Sequence, residues 1–193
     1  MMAEKRLVVL LDANVLYPAP IRDLLLRLSE VGVLIPKWTA RIQQEWTESL
    51  LRNRPDLNRN LLTRICHEMD KAFPDAHVNG FEELIPMIVL PDADDRHVLA
   101  AAVHCEADLI ITNNKKDFPA KITDDFSIGV VTPDELVVAL LRISFSAVLE
   151  ALRAQVGGLK NPPMTIPDVL NVLEKCGLKR GVGVLRAYLT NII

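Results

Sequence analysis

Leu90 to Phe118 reads LPDADDRHVLAAAVHCEADLIITNNKKDF. The stretch falls into an acidic turn at Asp92, Asp94 and Asp95, a short helix, a buried strand, and a second polar turn that ends at Asp117. Val98, Leu99, Ala102 and Val103 recur at helical spacing, so a helix is expected from Asp95 to about Cys105, with Asp94 placed to cap it. Asp108 to Thr112 (DLIIT) is an apolar run of strand length. Acids therefore stand at both mouths of the apolar elements, where solubility alone would have scattered them over the outer faces.

Outward from this stretch the same grammar repeats. Lys5 to Leu11 is a Val/Leu run with almost no alternation, as expected of a parallel strand covered on both faces. It closes on a turn through Asp12, Ala13 and Asn14. Ile21, Leu24, Leu25 and Leu28 predict a helix to about Val31, and Val33 to Pro36 a short second strand. Thr39 is placed to cap a helix to about Arg52 that carries Ile42, Trp46 and Leu50 on one face. Pro55 and Asp56 are expected to open another helix, to about Ala72, and Leu84 to Leu90 reads as strand-like, although Pro86 interrupts it. Ser127 to Thr132 reads as a last strand. Thr132, Pro133, Asp134 and Glu135 then make a strong helix start: a capping Thr, Pro at the first position, acids in the first turn.

Strands alternating with helices predict an α/β fold, a three-layer sandwich around a mainly parallel central sheet. Sites in such sheets lie beyond the C-terminal strand ends, where Asp12 and Thr112 fall. After about Leu141 the pattern is helical only. Helices are expected over Phe145–Val156, from Thr165-Ile166-Pro167-Asp168 to about Gly177, and over Gly181–Leu189. The expected division is thus residues 1–140 and an all-helical C-terminal extension, 141–193.

Composition narrows the function. Half of the 193 residues are hydrophobic, too many for a disordered chain, yet no apolar run approaches the roughly 20 residues that span a bilayer. No small-residue cleavage site follows the first apolar run, so no membrane association is expected. Three dispersed cysteines without a CxxC pair argue against structural zinc and a disulfide framework, and fit a cytoplasmic protein. A net charge of −3, a pI near 5.8 and 5% aromatic residues exclude a globally basic nucleic-acid binder and a platform of stacked rings.

What remains is the set of acids: Asp12 after the first strand, Glu45 in the helix after the second, the 92–95 cluster, and Asp117. Each alone has an ordinary reading, as a turn residue, a solvated helix acid or a helix cap. Asp95 has the best claim within its cluster, because it shares the face of Val98 and Ala102 and so points inward. Together, placed after alternate strands, the acids point to a hard cation, Mg²⁺ or Mn²⁺, which takes oxygen ligands and activates water against a phosphodiester. His97 is left out of this set, since such chemistry needs no histidine base. Lys115 and Lys116 read as a solvated turn.

LLDANVL, QQEW, DADDRHVLAAA and ADLIITNNKKDFP, taken in order, resemble the PIN domain family in the branch of VapC-type toxins, over roughly residues 5 to 135. The resemblance implies a Mg²⁺- or Mn²⁺-dependent endoribonuclease acting on single-stranded RNA, the toxin half of a type II pair with a cognate antitoxin protein. It implies Asp12, Glu45, Asp95 and Asp117 as metal ligands and catalytic acids. Thr112, Asn14 and Asn114 are implied as polar groups at the substrate. Many relatives carry Asp where this chain has Asn114, and others carry Asn there with Asp three residues on, so Asn114, Asp117 or both complete the site. Because Asn is neutral, one tightly bound ion is expected rather than two. The tail resembles the helical extension of longer toxin-like members, with cover of the site, homodimerisation, partner binding and plain packing all open to it. Two competing readings follow from the residues. A phosphatase with Asp12 as nucleophile wants a second Asp where Asn14 stands, and a catalytically idle module binding RNA or a protein has no physical need of crowded acids.

Overall fold

A computed structural model describes residues 6–190. In chain order its elements are β1 (Leu7–Leu11), α1 (Ala13–Leu16), α2 (Ala19–Glu30), β2 (Leu34–Lys37), α3 (Ala40–Asn53), α4 (Arg59–Ala72), α5 (Arg96–His104), β3 (Leu109–Ile111), α6 (Ala120–Thr123) and β4 (Gly129–Val131). They continue as α7 (Pro133–Ile143), α8 (Phe145–Gly158), α9 (Ile166–Lys175) and α10 (Lys179–Thr190). The strands form a four-stranded sheet in the order β2-β1-β3-β4, flanked by helices. β1 and β4 both run parallel to β3, as expected of strands joined through helical crossovers. No helix among the described residues is long and apolar enough to cross a membrane.

Compactness divides the chain in two, and not at a single point. Among the described residues, one unit holds Leu7–Tyr17 and Ile35–Val131, the other Arg6, Pro18–Leu34 and 132–190. The sheet unit has its core in Val9, Leu10 and Leu11 of β1, Ile110 and Ile111 of β3, and Val98 to Ala102 of α5, all buried. In the helical unit α2 packs on α8 and α9, and α7 packs on α8 and α10. Gln155 of α8 donates to the Pro20 carbonyl at 2.8 Å. The α7–α10 contact is close: a Cβ on Gly181 would stand 2.9 Å from Val137 Cγ1, and the Asp134 carboxylate accepts from the Arg180 and Gly181 amides. Residue 140, the expected boundary, lies inside α7.

Helix starts follow their local chemistry. The Thr39 hydroxyl accepts from the Ile42 amide, and Thr132 and Thr165 form reciprocal capping boxes with Glu135 and Asp168. Four expectations need correction. Leu84–Leu90 is not a strand, since Glu82–Met87 forms a 3₁₀ turn that accommodates Pro86. α4 starts at Arg59, capped by Asn58, rather than at Pro55 and Asp56, because Asp56 is engaged by the Arg54 guanidinium. The Asp12–Asn14 turn opens the short helix α1. Asp94 does not cap α5; the cap position is Asp95, whose side chain makes no capping bond.

Ile110, fully buried in the central strand, tests the core. Ile110→Ala leaves a cavity between strand and helix layers that the sheet cannot close, and should cost about 3 kcal/mol. The loss should be read in urea as a lower midpoint at unchanged slope.

Candidate active site

The parallel register sets the site. Leu11 pairs with Ile111, so the next residues, Asp12 and Thr112, emerge side by side at the C-terminal ends of β1 and β3. The Asp12 amide donates to the Ile111 carbonyl at 3.1 Å, and the Thr112 amide to Val131 at 3.0 Å, which carries the ladder one step past the strands. Both side chains are buried. The Thr112 hydroxyl donates to Asp12 Oδ2 at 2.7 Å and accepts from Asn14 Nδ2 (2.9 Å) and the Asn114 amide (3.0 Å). Asn14 Nδ2 also donates to Asp12 Oδ2 at 2.6 Å, while Asn14 Oδ1 accepts from the Asn113 amide. Asp12 Oδ1 caps α1 through the Ala13 amide at 2.6 Å. Asp12 is thereby fixed in direction, with a lone pair on Oδ1 to spare.

Around Asp12 stand the other acids. Glu45 comes from α3, one turn beyond Arg41. Its Oε1 accepts from Arg41 Nε at 3.0 Å and lies 3.1 Å from His97 Nε2. Arg41 also donates to the Asp94 carbonyl, which ties α3 to the loop before α5. Asp95, at the head of α5, is half-buried with its carboxylate uncommitted to the cap. Asp117 closes a 3₁₀ turn (Lys115–Asp117) and accepts a hydrogen bond from the Asn114 amide group. Asn114 and Asp117 thus form a hydrogen-bonded pair.

Electrostatics show how closely these groups feel one another. Burial pushes the Asp95 carboxyl up to about 6, and the charges of Asp12, Asp117 and Asp92 push the same way. Burial also raises Asp12, against the Thr112 and Ala13 hydrogen bonds, and Glu45 adds repulsion. For Glu45, burial pushes upward most strongly of any single influence, yet the His97 and Arg41 interactions together outweigh it and hold the carboxyl below its ordinary value. Among the described residues no three His, Cys, Asp or Glu side chains converge closely enough to hold an ion as they stand. The donor set is nonetheless all-oxygen and mutually repelling, which suits a hard divalent cation over a soft one.

Arg41 is a residue that sequence reasoning missed, and His97 one that it weighed and set aside. His97 is fully buried, and its Nδ1 has no hydrogen-bond partner among the described residues, so its polar contact is with Glu45. The Arg41–Glu45 spacing of four residues was a visible signal. The His97 contact joins two helices and left no mark in local spacing.

The raised Asp95 carboxyl gives a pH test. Its folded value, about 6, lies above the ordinary 3.8, so the folded state binds the proton more tightly than the unfolded chain. Asp95 therefore costs nothing below about pH 4, and its penalty grows as pH rises through 6. In metal-free protein at pH 7.5, Asp95→Asn should stabilise by roughly 1–2 kcal/mol, allowing for screening of a half-buried group. The gain should vanish near pH 4, as read by paired thermal melts. A gain that persists at pH 4 would assign the effect to something other than this charge.

The PIN domain family model matches residues 8–116, a span that includes Asp12, Glu45, Asp95 and Asn114 and stops one residue before Asp117. A model of the VapC50 C-terminal domain matches residues 133–187. A curated protein of Mycobacterium tuberculosis (strain ATCC 25618 / H37Rv), named "Putative ribonuclease VapC50", is 34% identical over 79 residues, 41% of this chain and 47% of that protein. The chain thus matches about half the length of that relative. No solved structure matches the chain. With more than half of its residues inside the family match, the chain belongs to the PIN domain family.

Proposed function

We propose that the protein is a divalent-metal-dependent endoribonuclease cleaving single-stranded RNA, and the toxin of a type II toxin–antitoxin pair with a cognate antitoxin as partner. The observation that carries this reading is the crowding of carboxylates at the strand ends of a PIN domain, felt most strongly at Asp95. Asp12, Glu45, Asp95 and Asp117 would hold Mg²⁺ or Mn²⁺. When bound, such an ion lowers the pKa of a water and offsets charge building on the phosphate. The chain's own groups do the positioning. Thr112 and Asn14 aim Asp12, His97 and Arg41 aim Glu45 and keep it charged, and Asn114 aims Asp117. Asn14 and Asn114 stand at the mouth where a substrate phosphate would enter. The buried Thr112 hydroxyl, with three protein partners, acts on substrate through Asp12.

The domain division at residue 140 belongs to this proposal, with the extension from 141 on serving to cover the site, dimerise or hold the antitoxin. The rival reading is an idle PIN-like module that binds RNA or a protein. The separation of the carboxylates is the observation on its side.

Cleavage of a mixed single-stranded RNA pool decides between them. Cutting is expected with Mn²⁺ or Mg²⁺, is abolished by EDTA, and falls at least about a hundredfold in Asp12→Ala and Asp95→Asn. His97→Ala should cost about ten- to a hundredfold in metal affinity, the usual effect of losing a partner that orients a ligand. Metal should also raise the melting temperature of the wild type. Absence of both cutting and a metal-dependent shift would sink the enzyme reading in favour of the idle module.

A further inference from the structure

Beside the acids, α1 and α3 enclose an open groove of about 370 Å³, bordered by Asn14 and Glu45 at one end and by Tyr17, Ser49 and Arg52 farther on. Glu45, Ser49 and Arg52 are spaced four and three residues apart, so they share one face of α3. Two turns of helix carry Arg52 about 10 Å along the axis from Glu45. A second hollow shares Arg52 and continues to Arg59, with Glu48 on its border, where Glu48 accepts from Gln44.

Two side chains set this groove apart from the general surface. Tyr17 closes the short helix α1 that the Asp12–Asn14 turn opens, and its hydroxyl accepts from Asn53 Nδ2 at 3.2 Å, which fixes the ring at the edge of the groove. Arg52 is exposed and has no ion-pair partner among the described residues. Its neighbours are committed: Arg41 to Glu45, and Arg54 to Asp56 through two hydrogen bonds. In a chain of net charge −3, a guanidinium left unpaired at the end of a groove that begins at the acids matches a phosphate.

We propose that this groove is the track for single-stranded RNA leaving the cleavage site, with a base against Tyr17 and a flanking phosphate at Arg52. The inference rests on the nuclease reading and adds to it the path of the strand. It reconciles an acidic protein with a polyanionic substrate: a few local contacts outside the metal pocket replace a basic surface.

The test compares full-length wild type with Arg52→Glu, Arg52→Lys, Tyr17→Ala and Tyr17→Phe. Steady-state cleavage of a short single-stranded RNA is measured with Mn²⁺, and binding of the same RNA, fluorescently labelled, is measured in EDTA across about 50–200 mM salt. Arg52→Glu should raise KM about tenfold with kcat within about twofold, and should lower the salt slope of binding by about 1; Arg52→Lys should keep the slope. Tyr17→Ala should raise KM severalfold, and Tyr17→Phe, which keeps the ring, should not. Wild-type KM and salt slope in Arg52→Glu would overturn the track while leaving the nuclease reading intact. The same would follow if Arg52→Glu abolished capture of a protein partner without altering RNA affinity. A wild type that neither cuts nor binds RNA would overturn the nuclease reading, and the track with it.

Discussion

A carboxylate buried at the end of a central strand is the constraint on which this structure turns. Asp12 lies almost wholly out of water, and a carboxylate there must be satisfied by hydrogen bonds or it will pick up a proton. Its donors come from three places: the Ala13 backbone amide that opens α1, the Asn14 side-chain Nδ2, and the Thr112 hydroxyl one hundred residues away. That last contact exists only because β1 and β3 pair in one register. A slip of one residue would turn every side chain of the strand to its opposite face and separate Asp12 from Thr112. The Asn113 and Asn114 amides are then tied to Asn14 and Thr112, so the second polar turn inherits its position from the first.

This dependence explains what could be read from the residues and what could not. DLIIT, the first Val/Leu run and the capping threonines at 39, 132 and 165 were legible because each is decided within a few residues by apolar periodicity or by a hydroxyl meeting an orphan amide. Leu84–Leu90 misled, since its apolar content suits a strand while Pro86 and two preceding acids suit a tight helical turn. Asp94 misled in another way. It sits at capping distance, but its amide is drawn to Asp92 Oδ1, and the helix begins one residue later. In the site, the acids could be nominated from their positions after strands, and Asp95 from its inward face. The engagement of Glu45 by His97 could not, because it joins α3 to α5 across fifty-one intervening positions.

The two compact units show the same limit on a larger scale. Composition changes near residue 141, and a boundary drawn on composition falls there. Compactness instead follows which apolar faces meet: α2, which leaves the chain between β1 and β2, packs with α8 and α9 from the distant tail. Its leucines carry the period of a helix with one buried face, but a period does not say what covers that face. The two family matches, 8–116 and 133–187, likewise follow the order of residues along the chain, and α2 falls inside the first of them.

The acids are graded rather than equivalent. Glu45 is held in its charged form by a buried imidazole and a guanidinium. Asp12 is raised by burial, though four interactions contend over it. Asp95 is half-buried, has no capping bond to spend its charge on and feels Asp12, Asp117 and Asp92 together, so its carboxyl is pushed up to about 6. The side chains of Asn14 and Asn114 contribute hydrogen bonds without adding to this repulsion. A divalent cation brought to these acids would therefore relieve a cost at Asp12 and Asp95, whose ionisation the protein resists, and none at Glu45, whose charge the protein already secures.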